Sequence, residues 1–183
     1  MNIQETIDAL IGREGKYSNN ANDRGGETMW GITVGNARAF GYTGDMSAMP
    51  RLTAINIYTD RYWLHPHLDE VSTVDPFIAE ELLDTGVNMG PVVAGTFLQR
   101  ALNALNYDGL WQSLTQDGSI GALTIYALKQ FLALRGVPGR TVLLRMLNAQ
   151  QSVRYIELCE ANATQKTFIF GWQLNRVGGT YGT

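Results

Sequence analysis

Three carboxylates, two hydroxyls and two aromatic rings crowd the stretch from Arg13 to Thr33: Glu14, Asp23 and Glu27, Thr28 and Thr33, Tyr17 and Trp30. Among them stand Gly15, Asn19, Asn20, Asn22, Gly25 and Gly26, residue types that make turns for backbone reasons. A loop that only joined two elements would not need so many reactive side chains. Paired carboxyls are the chemistry of glycosidic hydrolysis, in which one protonates the leaving oxygen and the other serves as base, nucleophile or charge stabiliser. The acid must hold its proton near neutral pH, which partial burial against apolar surface achieves. Glu14 suits that role because it follows Ile3, Ile7, Leu10 and Ile11, which recur on one helical face. Its backbone is then anchored to a core while its head can reach a cleft. Asp23 is nine residues on and can fold back opposite it. Thr28 can orient a water between the two, and Tyr17 and Trp30 offer flat faces to sugar rings. A plainer reading, with Glu14 and Asp23 as helix caps or as partners of Arg13 and Arg24, stays open on spacing alone.

Other chemistries find little support. There is no phosphate-cradling Gly loop with its Lys, and no His-x-x-x-His helix for zinc. His65 and His67 flank Pro66 with only Asp69 and Glu70 for company, a pattern that reads as a packing loop before it reads as a metal site. Cys159 is the sole cysteine, which excludes an internal disulfide and a cysteine-rich zinc site. We therefore expect no metal and no cofactor. The chain of 183 residues is 45% hydrophobic and 17% charged, with length enough for one sizeable domain or two small packed ones. No apolar run approaches the roughly 20 residues of a membrane span, so no stable membrane insertion is expected. The start, Met1-Asn2-Ile3-Gln4-Glu5, is not a secretory leader, which points to cytoplasmic synthesis.

The net charge of -3 hides an asymmetry. Residues 1–91 carry six Lys/Arg against thirteen Asp/Glu, and residues 92–183 carry eight against four. The basic half is the better candidate to meet an anionic partner, unless solvated surface charge has simply segregated by chance. Its cations are scattered rather than clustered, so nucleic acid is not the expected partner.

Helices must position these groups. From Thr53, the residues Ile55, Tyr58 and Tyr62 predict a helix ending near Trp63, because His65-Pro66-His67 cannot continue it. Asp75-Pro76 is a cap and first-turn pair for a helix carrying Ile78, Leu82 and Leu83 towards Gly86. Asn36 to Asp45 reads as irregular. Asn88-Met89-Gly90-Pro91 marks the clearest boundary and divides the chain into 1–91 and 92–183. Beyond it, Val93, Phe97, Ala101 and Leu105 predict one helix, and Leu123, Ala127, Phe131 and Leu134 another that closes at Gly136-Val137-Pro138-Gly139. Met146, Ala149, Val153 and Ile156 predict a helix from about Thr141 to Ala161. An aromatic tail, Phe168-Ile169-Phe170-Gly171-Trp172, is expected to pack back on the core. Met29 to Thr33 is the best candidate for extended structure, so the fold class is mainly α with at most a small β-hairpin near the loop.

The stretch Glu14-Gly15-Lys16-Tyr17, followed by Asn22-Asp23-Arg24-Gly25-Gly26-Glu27-Thr28-Met29-Trp30-Gly31-Ile32-Thr33, resembles the signature of glycoside hydrolase family 108. That family comprises phage endolysins and related bacterial N-acetylmuramidases. Lys16 stands where its motif usually has a second Gly. Asp84-Thr85-Gly86-Val87-Asn88-Met89-Gly90 and Leu98-Gln99-Arg100-Ala101-Leu102-Asn103 are similar to later parts of the family. Asp117-Gly118-Ser119-Ile120-Gly121-Ala122-Leu123-Thr124 resembles the Asp-Gly-x-x-Gly-x-x-Thr turn of predicted peptidoglycan-binding modules.

The resemblance implies a lysozyme-like helical fold, a muramidase region over 1–91, and a peptidoglycan-binding region over 92–183 packed with it as one unit. It implies Glu14 as catalytic acid. The order Glu14, Asp23, Thr28 is also similar to the acid, carboxylate and water-positioning threonine of phage lysozymes of the T4 type, with Thr28 displaced by one residue and Thr33 as an alternative. Glu27 is the rival second carboxylate, or a brace for the loop through Arg24 or backbone N–H groups. Trp63 and Asn88 are candidates to line the sugar groove, or else a core residue and a helix cap. The expected reaction is cleavage of the β-1,4 bond between N-acetylmuramic acid and N-acetylglucosamine in peptidoglycan glycan strands by a monomer. Carboxyls about 6.5–9.5 Å apart would give inversion and about 5–5.5 Å retention. A lytic transglycosylase and a non-catalytic wall-binding or secretion-helper protein are the alternatives. An endolysin of this kind would wait in the cytoplasm until a separate hole-forming protein let it reach the wall for host cell lysis.

Overall fold

The computed structural model describes residues 5, 7, 8, 11, 12, 17–19, 26–107 and 109–177. The chain forms two compact units, Met1–His65 and Pro66–Thr183.

In the first unit, Ile7 and Ile11 are helical and buried, as their spacing predicts. The other two residues of that stripe, Ile3 and Leu10, lie outside the described residues. A two-stranded antiparallel hairpin follows, β1 (Thr28–Met29) and β2 (Ile32–Thr33), in the register Thr28 opposite Thr33 and Met29 opposite Ile32. This is the extended segment expected at Met29 to Thr33. α1 (Val34–Phe40) comes directly after β2. Asn36 to Phe40 is therefore helical where the sequence reads as irregular. The cause is local: the Thr33 hydroxyl accepts from Asn36 N at 3.3 Å to cap the start, and Gly41 at φ 100° ends it. With Ala37 its only buried residue, so short a helix leaves no periodic signal.

α2 (Arg51–Thr59) widens into a π-helical turn, Asp60–Leu64, and stops at the His-Pro-His segment as predicted. Ile7, Ile11, Ile32, Ala37, Met46, Met49, Ala54, Ile57 and Tyr58 make one apolar core. An Arg51–Asp8 ion pair at 2.8 Å ties the start of α2 to the helical turn of Ile7 and Ile11.

The second unit is helical: α3 (Leu68–Val74), α4 (Pro76–Met89), α5 (Pro91–Leu105), α6 (Ala122–Ala161) and α7 (Lys166–Arg176). α4 packs on α3, α5 and α6. Asp75 starts it as the sequence predicts, its Oδ1 accepting from Phe77 N and Ile78 N at 3.0 and 3.2 Å. Its Oδ2 accepts from Arg140 Nε, so a nearly buried carboxylate is both capping and paired. α4 runs past Gly86 to Met89, and Gly90, at φ 97°, turns the chain into α5. α6 breaks at Gly136, φ 56° and ψ -143°, where the Gly-Val-Pro-Gly sequence predicts an end.

Within α6 the sequence places the helices but only part of their faces. Ala127 and Phe131 are buried as their spacing predicts, with Ile125 and Leu128 beside them, while Leu123 and Leu134 are exposed. Further along, Val153 and Ile156 are exposed, and Leu143, Leu144, Leu147, Gln151 and Tyr155 face inward. Apolar residues occur on both sides of this helix, so the side that meets α4 decides. That side tolerates Gln151 because its Nε2 donates to Asp84 Oδ2 at 3.0 Å. Of the aromatic tail, which forms α7, Trp172 packs back by stacking on Tyr155 at 4.9 Å between ring centres, while Phe168 and Phe170 are exposed; Arg176 Nη1 donates to Asp84 Oδ1 at 2.6 Å. Cys159 is buried and free. Among the described residues, no helix is long and apolar enough to cross a membrane.

Candidate active site

The hairpin is the centre of the candidate site. Its two-residue turn is Trp30-Gly31, with φ 55° and 75°. Positive φ at both central residues is the twist that suits a two-residue hairpin. Gly31 adopts it freely, whereas for Trp30 the left-handed region costs about 1–2 kcal/mol. Two distant groups hold it there. Trp30 Nε1 donates to Met49 O at 2.9 Å, and Tyr58 Oη donates to Trp30 O at 3.0 Å. A bulky side chain fixed in a strained backbone state, half-exposed beside a polar loop, is a common mark of a working residue.

The other edge of β1 pairs with Ser18. Ser18 N donates to Thr28 O at 2.9 Å and Thr28 N to Ser18 O at 2.8 Å. This bridge sets Ser18 beside Thr28 through a pair of backbone bonds. Val34 N donates to Glu27 O at 2.8 Å, which fixes the end of the loop onto α1. Tyr17 Oη donates to Glu27 Oε1 at 3.1 Å across the base. Partial loss of water, then the Glu27 carboxylate beside it, raise the Tyr17 hydroxyl above its ordinary range. Glu27 therefore braces the loop through Tyr17.

Thr28 and Thr33 face each other across the hairpin but are used differently. The Thr33 hydroxyl caps α1. Among the described residues, the Thr28 hydroxyl has only a long 3.5 Å contact to Gly26 O, which leaves it open to a stronger partner. Glu14 and Asp23 lie outside the described residues. Trp63 is partly buried on the π-helical turn of the first unit. Asn88 is exposed on α4 in the second unit, its Nδ2 donating to Asp84 O at 2.7 Å. The structure thus brings Tyr17, Glu27, Thr28 and Trp30 together around one loop base.

Sequence reasoning missed Ser18, Tyr58 and the Met49 carbonyl as the supports of this arrangement. Tyr58 reads as a core position in a helical stripe, and nothing in a sequence marks a backbone carbonyl as an acceptor. For metals, no group of three or more His, Cys, Asp or Glu among the described residues could hold an ion. His67 instead has Nδ1 3.0 Å from Glu70 Oε1.

Residues 7–90 match the family described as Glycosyl hydrolase 108, and residues 93–177 match the Predicted Peptidoglycan domain. No curated protein matches the sequence significantly. Among solved structures, the SagA protein of Brucella abortus is similar in fold, with a TM-score of 0.59 and 24% identity over 93% of this chain and 86% of that one. The chain thus joins a glycosyl hydrolase family 108 region, residues 7–90, to a predicted peptidoglycan domain, residues 93–177, and the two adjoining matches support a glycosidase directed at peptidoglycan.

Proposed function

We propose that the protein is an N-acetylmuramidase that hydrolyses the β-1,4 bond between N-acetylmuramic acid and N-acetylglucosamine. Glu14 donates a proton to the leaving oxygen, and positive charge builds on the sugar ring. Asp23 stabilises that charge or activates water, which the Thr28 hydroxyl orients. Tyr17, Trp30 and Trp63 offer ring faces to the glycan. Residues 1–91 supply catalysis and residues 92–183 hold the wall.

The observation that carries this reading is the Ser18–Thr28 bridge. It pairs Ser18, four residues beyond Glu14 in the sequence, with Thr28, five residues beyond Asp23, and so supports the two carboxylates and the threonine acting together. The engagement of Glu27 by Tyr17 supports Asp23 as the second carboxylate. The buried Ile7 and Ile11 support the anchoring on which a partly desolvated acid depends.

The test is digestion of purified peptidoglycan by the wild type and by Glu14→Gln, with mass spectrometry of the products. We expect reducing N-acetylmuramic acid ends from the wild type and loss of at least a thousandfold in rate for the variant. A Glu14→Gln chain that still solubilises sacculi at near wild-type rate refutes the assignment. Ends in 1,6-anhydro form would make the enzyme a lytic transglycosylase instead.

A further inference from the structure

The amino end of α6 is open. Gly121 stands at its cap position and offers no side-chain acceptor. The first bond of the helix runs from Ile125 N to Gly121 O at 3.0 Å, so the N–H groups of Ala122, Leu123 and Thr124 have no intrahelical partner. They point outward at the positive end of the helix dipole.

A cavity of about 360 Å³ lies on this end, lined by the polar side chains of Gln112, Ser113, Thr115, Asp117, Ser119 and Thr124. Thr124 also lines it while only 3% exposed. Its hydroxyl makes no hydrogen bond to the described residues, which leaves it available to a group in the cavity. The cavity wall is rigid. Asp117 Oδ1 accepts from Gln99 Nε2 at 2.8 Å and Ser119 N at 2.9 Å, and Gly118 N donates to Gln99 Oε1 at 2.8 Å. Those donors, the Gln99 amide first, hold the Asp117 carboxyl below its usual range, so the cavity keeps one negative charge beside the positive helix end.

A ligand that satisfies both carries a carboxylate for the helix amides and an N–H donor for Asp117. Leu123, 67% exposed at the rim, adds a surface for small apolar groups. Short peptides rich in alanine and ending in a free carboxylate have that combination. N-acetylglucosamine has no carboxylate, and where a stem peptide is attached the lactyl carboxyl of N-acetylmuramic acid is an amide.

We propose that this cavity binds the stem peptide of peptidoglycan, its terminal carboxylate seated on the free amides of α6, its N–H groups on Asp117, and an alanine methyl on Leu123. The Thr124 hydroxyl donates to the bound carboxylate. The proposal rests on the peptidoglycan reading and assigns the peptide arm of that polymer to the second unit.

The test titrates isotope-labelled full-length chain carrying Glu14→Gln with an N-acetylated stem pentapeptide ending in D-Ala-D-Ala, followed by amide NMR. The same peptide with an amidated C-terminus and a tetramer of N-acetylglucosamine are run in parallel. We expect shifts centred on residues 119–124 with the free-acid peptide, at least tenfold weaker binding of the amidated one, and no shift there with the glycan. Ala122→Pro removes one free amide at a position where proline suits a helix, after a Gly121 already extended at φ -101° and ψ -171°. It should weaken peptide binding at least fivefold, as should Thr124→Val. Unchanged affinity in Ala122→Pro, indifference to amidation, or glycan shifts at 119–124 each overturn the proposal. Wild-type chain that cleaves walls but gives no peptide shift at 119–124 refutes this site and leaves the muramidase reading intact. Peptide binding at 119–124 without glycan cleavage does the reverse.

Discussion

Replacing Glu81 with Gln should remove most of the pH dependence of stability between pH 4.5 and 7. Glu81 sits on α4 with its carboxyl largely out of water, and burial pushes it up to about 7 from the ordinary 4.5. A hydrogen bond from Asn148 works the other way, while Asp84 and Glu80 add like charge. Its Oε1 has no partner. The folded chain therefore keeps a proton over a range in which the unfolded chain has lost it. The resulting stabilisation is complete below about 4.5, falls as pH rises, and is gone above about 7. The gap from 4.5 to about 7, at about 1.4 kcal/mol per pH unit, amounts to roughly 3 kcal/mol. Tyr155, whose hydroxyl burial pushes up to about 12 and which also faces this cluster, stays neutral across that range. Gln keeps the shape and the acceptor for Asn148 but is neutral throughout. Urea unfolding followed by circular dichroism at pH 4 to 8 should find the two proteins within about 1 kcal/mol at pH 4 and the variant about 2–3 kcal/mol more stable at pH 8. Parallel stability profiles for the two proteins would refute the reasoning.

Trp30→Gly separates the strain at the hairpin turn from the work of the ring. Relief of about 1–2 kcal/mol of backbone strain offsets much of the lost packing and the lost hydrogen bond to Met49, so stability measured by thermal unfolding should change by less than about 2 kcal/mol. Turnover of peptidoglycan should fall at least tenfold, and unchanged turnover would remove the ring from the site. Gly95→Ala tests the approach of the 117–119 loop to α5. An added Cβ would lie 2.1 Å from Gly118 O, so the backbone must move and break the bonds from Gln99 to the loop. A loss of about 2–4 kcal/mol is expected in denaturant melts, and a loss under about 0.5 kcal/mol would mean that the loop is not held there.

The sequence by itself determined the composition of the site and the positions of most helices. The motif from Glu14 to Thr33 carries the likeness to glycosyl hydrolase family 108 that the match over residues 7–90 bears out. Asp75-Pro76 and His65-Pro66-His67 set a start and a stop through local backbone chemistry that no distant contact overrides. Burial and support were decided only in three dimensions. Val153 and Leu134 belong to apolar stripes yet face outward, because α6 packs on α4 and α5 through other residues. Trp30 keeps a strained backbone because Tyr58 and the Met49 carbonyl reach it from 28 and 19 residues away. Thr28 and Thr33 are equivalent in sequence, but folding commits the second to capping α1 and leaves the first open. Local rules act within a few residues and can be read in order along the chain. Which polar atom finds a partner depends on segments that meet only after the core has closed.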